Sequence, residues 1–211
     1  MLWQETYDRD RYSLYHGDSL VKKHYDERYM AYERMLRAGV RHIGMGVLSG
    51  LAPWREDWAQ LIRHEEYLFQ EYGVRPAILG TPRVKTAAGA IVADTRYQPT
   101  DEEFTFAIAV HTLFAPEAVP WVNTREPWDL CVTLAQGGSL FTFDCSTTPG
   151  GYTQQIKSYQ FPTYSYPVPT FGQKLEKKGL RVAMQWTFDE SGGIKESHVA
   201  GNCSAASTLT N

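Results

Sequence analysis

Apolar positions recur along the chain with two different periods, and the segments that carry them alternate. "LWQET", near the start, reads as a short strand. "YDERYMAYERMLRAG", Tyr25 to Gly39, is built of helix formers and stops on a glycine, a residue favoured just past a helix end. "VRHIGMGVL" reads as a strand weakened by Gly44 and Gly46. "WREDWAQLIRHEEYLFQEYG" is the clearest helix: Trp54, Trp58, Leu61, Ile62, Leu68, Phe69 and Tyr72 share a face, and Gly73 stops it. "RPAILGTP" is a short strand closed by Gly80 and Pro82, and a loop of small residues follows to about Pro99. "TDEEFTFAIAVHTLFAP" opens with a capping box, Thr100 with Glu103, and predicts a helix to Pro116. "AVPWVNT" reads as a strand, "EPWDLCVTLAQGG" as a helix and "SLFTFDC" as a strand.

About five β/α units in series imply a parallel sheet in an α/β fold. Two architectures suit it: an open doubly wound sheet, or an arc of a (β/α)8 barrel. A whole barrel takes about 250 residues, so the β/α part of this chain fills little more than half of one. The character changes after residue 153. The span 154–188 reads as an extension, with a Pro- and Tyr-rich loop and then a short helix and a strand in "QKLEKKGLRVAMQWTF". The small-residue span 189–211 reads as a disordered tail.

Composition removes several function classes. The 211 residues are 43% hydrophobic and 21% charged, an ordinary globular balance. A formal charge of −3 argues against nucleic acid or an anionic membrane as partner. No apolar run of ~18 residues marks a transmembrane helix, and "MLWQETYDRD" has no signal-peptide character, which makes the cytoplasm the expected location. The three cysteines, Cys131, Cys145 and Cys203, are odd in number and far apart, so no disulfide framework or CxxC pair is expected. "RHEEYLF", around His64, is not HExxH.

Candidate chemistry gathers at the C-terminal ends of the expected strands, where α/β proteins place their sites. Gln4, Glu5 and Thr6 end the first strand; Gly44, Gly46 and Gly50 mark the second; Arg83 follows the third. Thr124, Arg125 and Glu126 end the fourth, and Ser146, Thr147 and "PGGY" the fifth. Each has a plainer reading: Arg83 as a surface or salt-bridging residue, "TREP" as a helix N-terminus, "PGGY" as a turn. "MGVLSGL" lacks the dinucleotide fingerprint.

Taken in order, "WQETYDRDRYSLYH", "YDERYMAYERMLRAGVRHIGMGVLSGLAPWREDW", "TPRVKTAAG", "VNTREP" and "STTPGGY…YQF…KKGLRVAMQWTF" closely resemble the C-terminal half of the 2-iminoacetate synthase family, the tyrosine lyases of thiamine biosynthesis. That family lies in the radical SAM superfamily, with biotin synthase, the tyrosine lyase of FeFe-hydrogenase maturation and tryptophan lyase. The resemblance runs from about Leu2 to Phe188. It implies a (β/α)8 barrel, here about its last five units, holding a 4Fe-4S cluster and S-adenosylmethionine in its mouth. Reductive cleavage of the cofactor yields a 5′-deoxyadenosyl radical, which abstracts hydrogen from tyrosine. The Cα–Cβ bond then breaks to give 2-iminoacetate (dehydroglycine) and p-cresol.

Carried over residue by residue, the resemblance assigns Gln4 and Thr6, with Glu5 beside them, to the cofactor ribose. Arg28 of "DERY" is assigned to the methionyl carboxylate, for which a guanidinium offers bidentate bonds. Val47 is set against the adenine, with Gly46 and its neighbours allowing close approach. Arg125 faces the amino-acid substrate, and Arg83 and Ser146 are lesser substrate candidates. The departures are specific. The family's "FPRLRP" is here "TPRVKTAAG", so its second arginine is Lys85, and the CxxxCxxC loop that ligates the cluster is absent from this sequence. No spacing of the three cysteines replaces it, so this chain alone offers no cluster ligands. The expectation is a fragment whose upstream part is missing and which is inactive by itself. The alternative is a non-catalytic half-barrel, or the C-terminal partner of a split enzyme, that binds an N-terminal half-barrel or a thiazole synthase. The residues do not choose between tyrosine and tryptophan.

Overall fold

The computed structural model describes residues 1–19, 21–85, 95–123, 126–141, 173–180, 183–188 and 194–199. Helix α1 (Arg9–His16) starts where the Asp8 side chain accepts the Arg11 N–H. Helices α2 (Tyr25–Tyr29) and α3 (Ala31–Arg37) follow, and strand β1 (Gly44–Gly46) enters the sheet. The single helix expected over Tyr25 to Gly39 is thus broken at Met30 (φ −77°, ψ −3°). Nothing in the side-chain pattern marks the break, because Tyr25, Tyr29, Tyr32 and Leu36 keep helical spacing across it.

Helix α4 (Trp54–Tyr72) carries Glu56 and Asp57 in its first turn and ends at Gly73, whose φ of 64° is the left-handed conformation that closes helices at little cost for glycine. Of its expected apolar stripe, Trp58, Leu61 and Leu68 are buried and Trp54 and Tyr72 pack against the core, but polar residues share that face. Asp57, His64 and Glu65 are buried with Trp58, Leu61 and Leu68, while Phe69 is exposed. Strand β2 (Ile78–Gly80) precedes a 3-10 turn (Thr95–Tyr97) and helix α5 (Asp101–Phe114), where both halves of the Thr100–Glu103 capping box form. Strand β3 (Val119–Val122), helix α6 (Trp128–Gln136) and strand β4 (Leu140–Phe141) complete the series.

The strands pair in parallel in the order β1-β2-β3-β4, each beside its predecessor in the chain. The chain's start runs parallel along the free edge of β1: Leu2 N–H donates to Gly44 O and Gln4 N–H to Gly46 O, both at 2.9 Å. One cluster joins the strand residues Ile43, Met45, Val47, Leu79 and Val122 to Tyr32 and Leu36 of α3, Trp58, Leu61 and Leu68 of α4, Phe104 and Ile108 of α5 and Leu134 of α6. The helices therefore pack on one face of the sheet. A doubly wound sheet has helices on both faces and a reversal of strand order, and neither occurs among the described residues.

Beyond the sheet, Leu175 is buried, and Gln136 Nε2 of α6 donates to Lys178 O at 3.2 Å. Strands β5 (Ala183–Phe188) and β6 (Ile194–Val199) form an antiparallel pair with two register shifts. Strand β6 lies inside the span read as a disordered tail. The Gly192–Gly193 pair, between two runs of strand length, is a hairpin cue in the sequence. Among the described residues no helix is long and apolar enough to cross a membrane.

Candidate functional site

The two faces of the sheet differ sharply. On the helix side, Leu2 packs against the core cluster, and Thr6 Oγ1 donates to Asp57 Oδ1 of α4 at 2.9 Å. On the other side, Trp3 meets Trp121 edge-on at 6.0 Å, over Gly80. Alternation puts Gln4 on the helix side with Leu2. Gln4 is fully buried there, and neither atom of its amide has a hydrogen-bond partner. The two residues assigned to the ribose, Gln4 and Thr6, thus share a face, but it is the helix-covered one.

Glu5 is held differently. A regular ladder would direct Leu48 N–H at the Gln4 carbonyl; instead it donates to Glu5 O at 2.7 Å. Glu5 is therefore an extra residue on its strand, a bulge, and its φ of 75° is the left-handed conformation that a side chain disfavours. The carboxylate that the bulge re-aims meets two cations on one oxygen. Lys22 Nζ bonds Glu5 Oε1, and Arg28 Nη2 lies 3.4 Å from the same atom, while Arg28 Nε donates to Trp3 O. The Lys22 main chain is fixed on both sides, because Tyr12 OH donates to Lys22 O at 2.6 Å and Lys22 N–H to Ser19 Oγ at 3.1 Å. The structure brings Glu5 and Arg28 together, and Lys22 joins them without having been singled out in the sequence.

The glycines of β1 and β2 are explained by the chain's own atoms. A Cβ on Gly46 would sit 1.7 Å from the Gly80 carbonyl oxygen, so two backbones meet there. A Cβ on Gly44 would meet the Met1 side chain at 3.2 Å, and one on Gly80 would meet Trp3, Met1 and Trp121 at 3.2–3.4 Å. Val47 lies fully buried in the core cluster beneath the helices.

Arg83 is buried and fully engaged in ion pairs and hydrogen bonds. Its Nε donates to Glu126 Oε1 at 3.1 Å, its Nη2 to Glu126 Oε2, and its Nη1 to Pro99 O at 3.1 Å. Asp101 Oδ1 lies 2.6 Å from Nη1, and Lys85 Nζ bonds Glu126 Oε2 at 3.1 Å. Burial works against the cation, but the bonds to Glu126 and Asp101 outweigh it and leave its pKa raised. Arg83 is thus salt-bridged to Glu126 and Asp101. Thr124, Arg125 and Ser146 lie outside the described residues.

A second buried polar group lies under α4. Asp57 Oδ1 accepts from Thr6 and from Tyr7 N–H, at 2.9 and 2.7 Å, and burial pushes its pKa up to about 6. His64 Nδ1 is 2.9 Å from Tyr7 OH, its ring stacks on Tyr29 at 4.2 Å, and burial drives its pKa down to about 4. The two act in opposite senses on stability. As pH falls from about 6.5 to 4, the unfolded chain protonates its His64 first and stability is lost. As pH falls from about 6 to 3.8, the folded chain protonates Asp57 first and stability is gained. Asp57→Asn removes the second contribution. Its urea midpoint is expected to fall more steeply than wild type's as pH is lowered from about 6 to 4. Parallel midpoint curves for the two proteins would rule the opposition out.

The relatives are consistent with this geometry. No protein-family model matches the chain. It is 32% identical over 157 residues to the 2-iminoacetate synthase of Escherichia coli K12, covering 72% of this chain and 40% of that protein. It is 30% identical over 188 residues to the 2-iminoacetate synthase of Salmonella typhimurium LT2, covering 86% and 48%. The chain thus spans less than half the length of these curated relatives. Among solved structures, the FeFe-hydrogenase maturase HydG from Carboxydothermus hydrogenoformans superposes with a TM-score of 0.76 at 28% identity, over 85% of this chain and 41% of that one. A second HydG structure superposes with a TM-score of 0.75 at 27% identity, over 85% and 39%.

The chain is a relative of the radical SAM tyrosine lyases.

A radical SAM relationship implies an iron–sulfur cluster and S-adenosylmethionine, and the described residues fit the two unequally. No group of three His, Cys, Asp or Glu residues among them could hold a metal ion. Cys131 is buried, its thiol faces the carbonyls of Asn123 and Glu126, and burial pushes its pKa up to about 12, the opposite of what a thiolate ligand needs. Cys145 and Cys203 lie outside the described residues. The cluster therefore does not fit the described residues. The nucleoside cofactor fits better, because Glu5, Arg28 and Lys22 supply a carboxylate for ribose hydroxyls and cations for an amino-acid carboxylate.

Proposed function

We propose that this chain is part of a radical SAM carbon–carbon lyase acting on an aromatic amino acid, tyrosine by the stronger resemblance, and that its sheet is an arc of a (β/α)8 barrel. The strand order supports the arc, since each strand lies beside its predecessor with the helices on one face. The observation that carries the function is the strained Glu5 bulge, at the C-terminal end of its strand, with Arg28 and Lys22 closing on its carboxylate. A non-glycine residue kept in this conformation costs about 1–2 kcal/mol, and such strain persists where a site over-determines it.

In this reading Glu5 rather than Gln4 or Thr6 meets the ribose of S-adenosylmethionine. Arg28, pinned by its Nε to the Trp3 carbonyl, turns its remaining donors to the methionyl carboxylate. Bound with its cluster, that cofactor supplies hydrogen-atom abstraction. The residues of this chain bind and orient it, and Arg125 is assigned to the substrate carboxylate. The cluster comes from outside the described residues. The half-buried apolar surface of Trp3 and Trp121, with the exposed Met1 side chain beside it, favours a second reading as the C-terminal partner of a split barrel, whose other half covers that surface.

The test is anaerobic reconstitution with iron and sulfide, of this chain alone and mixed with the N-terminal barrel half of a 2-iminoacetate synthase. The mixture is expected to release p-cresol from tyrosine, and Arg28→Ala to lower that release at least about ten-fold. The chain alone is expected to release none. A chain that cleaved S-adenosylmethionine alone would overturn the fragment reading. A mixture that formed a complex and stayed inert would overturn the lyase reading.

A further inference from the structure

We infer that Lys22 is a second cationic anchor for the ligand's amino-acid carboxylate, held by Glu5 until that carboxylate arrives. The inference rests on the proposed reading of Glu5 and Arg28 as the place of an aminoacyl nucleoside. Three observations carry it. The first is charge: one carboxylate, Glu5, faces two cations, Lys22 and Arg28, so the cluster holds one positive charge more than it neutralises. His16 beside it does not supply another, because burial lowers its pKa. A site with one excess cation suits an anion.

The second is placement. The Lys22 side chain is 37% exposed, against 14% for Arg28 and 8% for Glu5. Arg28 is also committed to the Trp3 carbonyl, so Lys22 is the cation that can turn outward. The third is anchoring. A lysine on an unanchored loop loses backbone as well as side-chain entropy when it binds. Here Tyr12 and Ser19 hold the Lys22 backbone at its carbonyl and its N–H, and Tyr12 is itself fully buried. The ammonium swings from a fixed point. An arriving carboxylate takes Lys22 from Glu5, and the released Glu5 oxygen turns to the ribose hydroxyls. Lys22 is in this sense a positioning residue for Glu5 in the empty site and a ligand contact in the filled one.

Calorimetric titration of the full chain separates this role from a structural one. The probes are S-adenosylhomocysteine, which carries the carboxylate, and 5′-methylthioadenosine, which lacks it. Lys22→Gln is expected to weaken the first about ten-fold and to leave the second within about two-fold of wild type. Lys22→Arg, which keeps the charge, is expected to recover most of the loss and guards against a folding defect. Equal weakening of both probes, or of neither, overturns the role of Lys22 while leaving Glu5 and Arg28 as the nucleoside site. A wild-type chain that binds neither probe overturns the site reading and this inference with it.

Discussion

Glu126→Ala is expected to destabilise the protein by about 3–5 kcal/mol, because it strands a buried cation. Arg83 spends its Nε and Nη2 on Glu126, and Lys85 leans on the same carboxylate. Without it, two positive charges face each other across a site where, among the described residues, Asp101 and the Pro99 carbonyl remain as partners of Arg83. The loss is a large share of the roughly 5–15 kcal/mol that holds a domain together. Replacing both partners, Arg83→Met with Glu126→Met, is expected to recover most of it, because neither charge is then buried alone. Urea midpoints of the three proteins check this. A Glu126→Ala loss below about 1 kcal/mol would mean that the carboxylate does not hold Arg83.

Gly46→Ala is expected to cost at least about 3 kcal/mol, at the upper end of what overpacking a core does. The new methyl, fixed directly to the Gly46 backbone, would lie 1.7 Å from the backbone carbonyl oxygen of Gly80 in the paired strand. No rotamer relieves the clash, so β1 and β2 must separate. Gly39→Ala is the control: it has φ +88° but no atom within 4 Å of the new methyl, so it bears only the left-handed penalty of about 1–2 kcal/mol. Thermal melts that placed the two variants together would show that the Gly46 contact is yielding.

The elements were legible from local chemistry where a residue type has one structural use. Gly73 stops α4 in the left-handed conformation, and Thr100 with Glu103 caps α5, both as read. The break at Met30 was not legible, since a ψ near zero leaves no trace in side-chain spacing. The site was less legible than the elements. The resemblance assigns Gln4 and Thr6 of "QETY" to the ribose, and the structure places both on the helix side of the sheet. The bulge at Glu5, which re-aims its carboxylate, is a relation between two strands and has no sequence of its own. The glycines of "GMG" showed that something lies close to the backbone. That something is the Met1 side chain at Gly44 and the Gly80 backbone at Gly46.

By itself the sequence determined the β/α alternation of the sheet, the stop at Gly73, the capping box at Thr100 and the relationship to radical SAM tyrosine lyases, because each is carried by local residue patterns. Only the tertiary structure decided what each polar residue faces. Arg83 and Glu126 are 43 residues apart, Thr6 and Asp57 51 apart, and Glu5 meets Lys22 and Arg28 from 17 and 23 residues away. Whether a charge is a ligand contact or a buried bond depends on which partner reaches it first, and packing of the helices on one face of the sheet sets that partner.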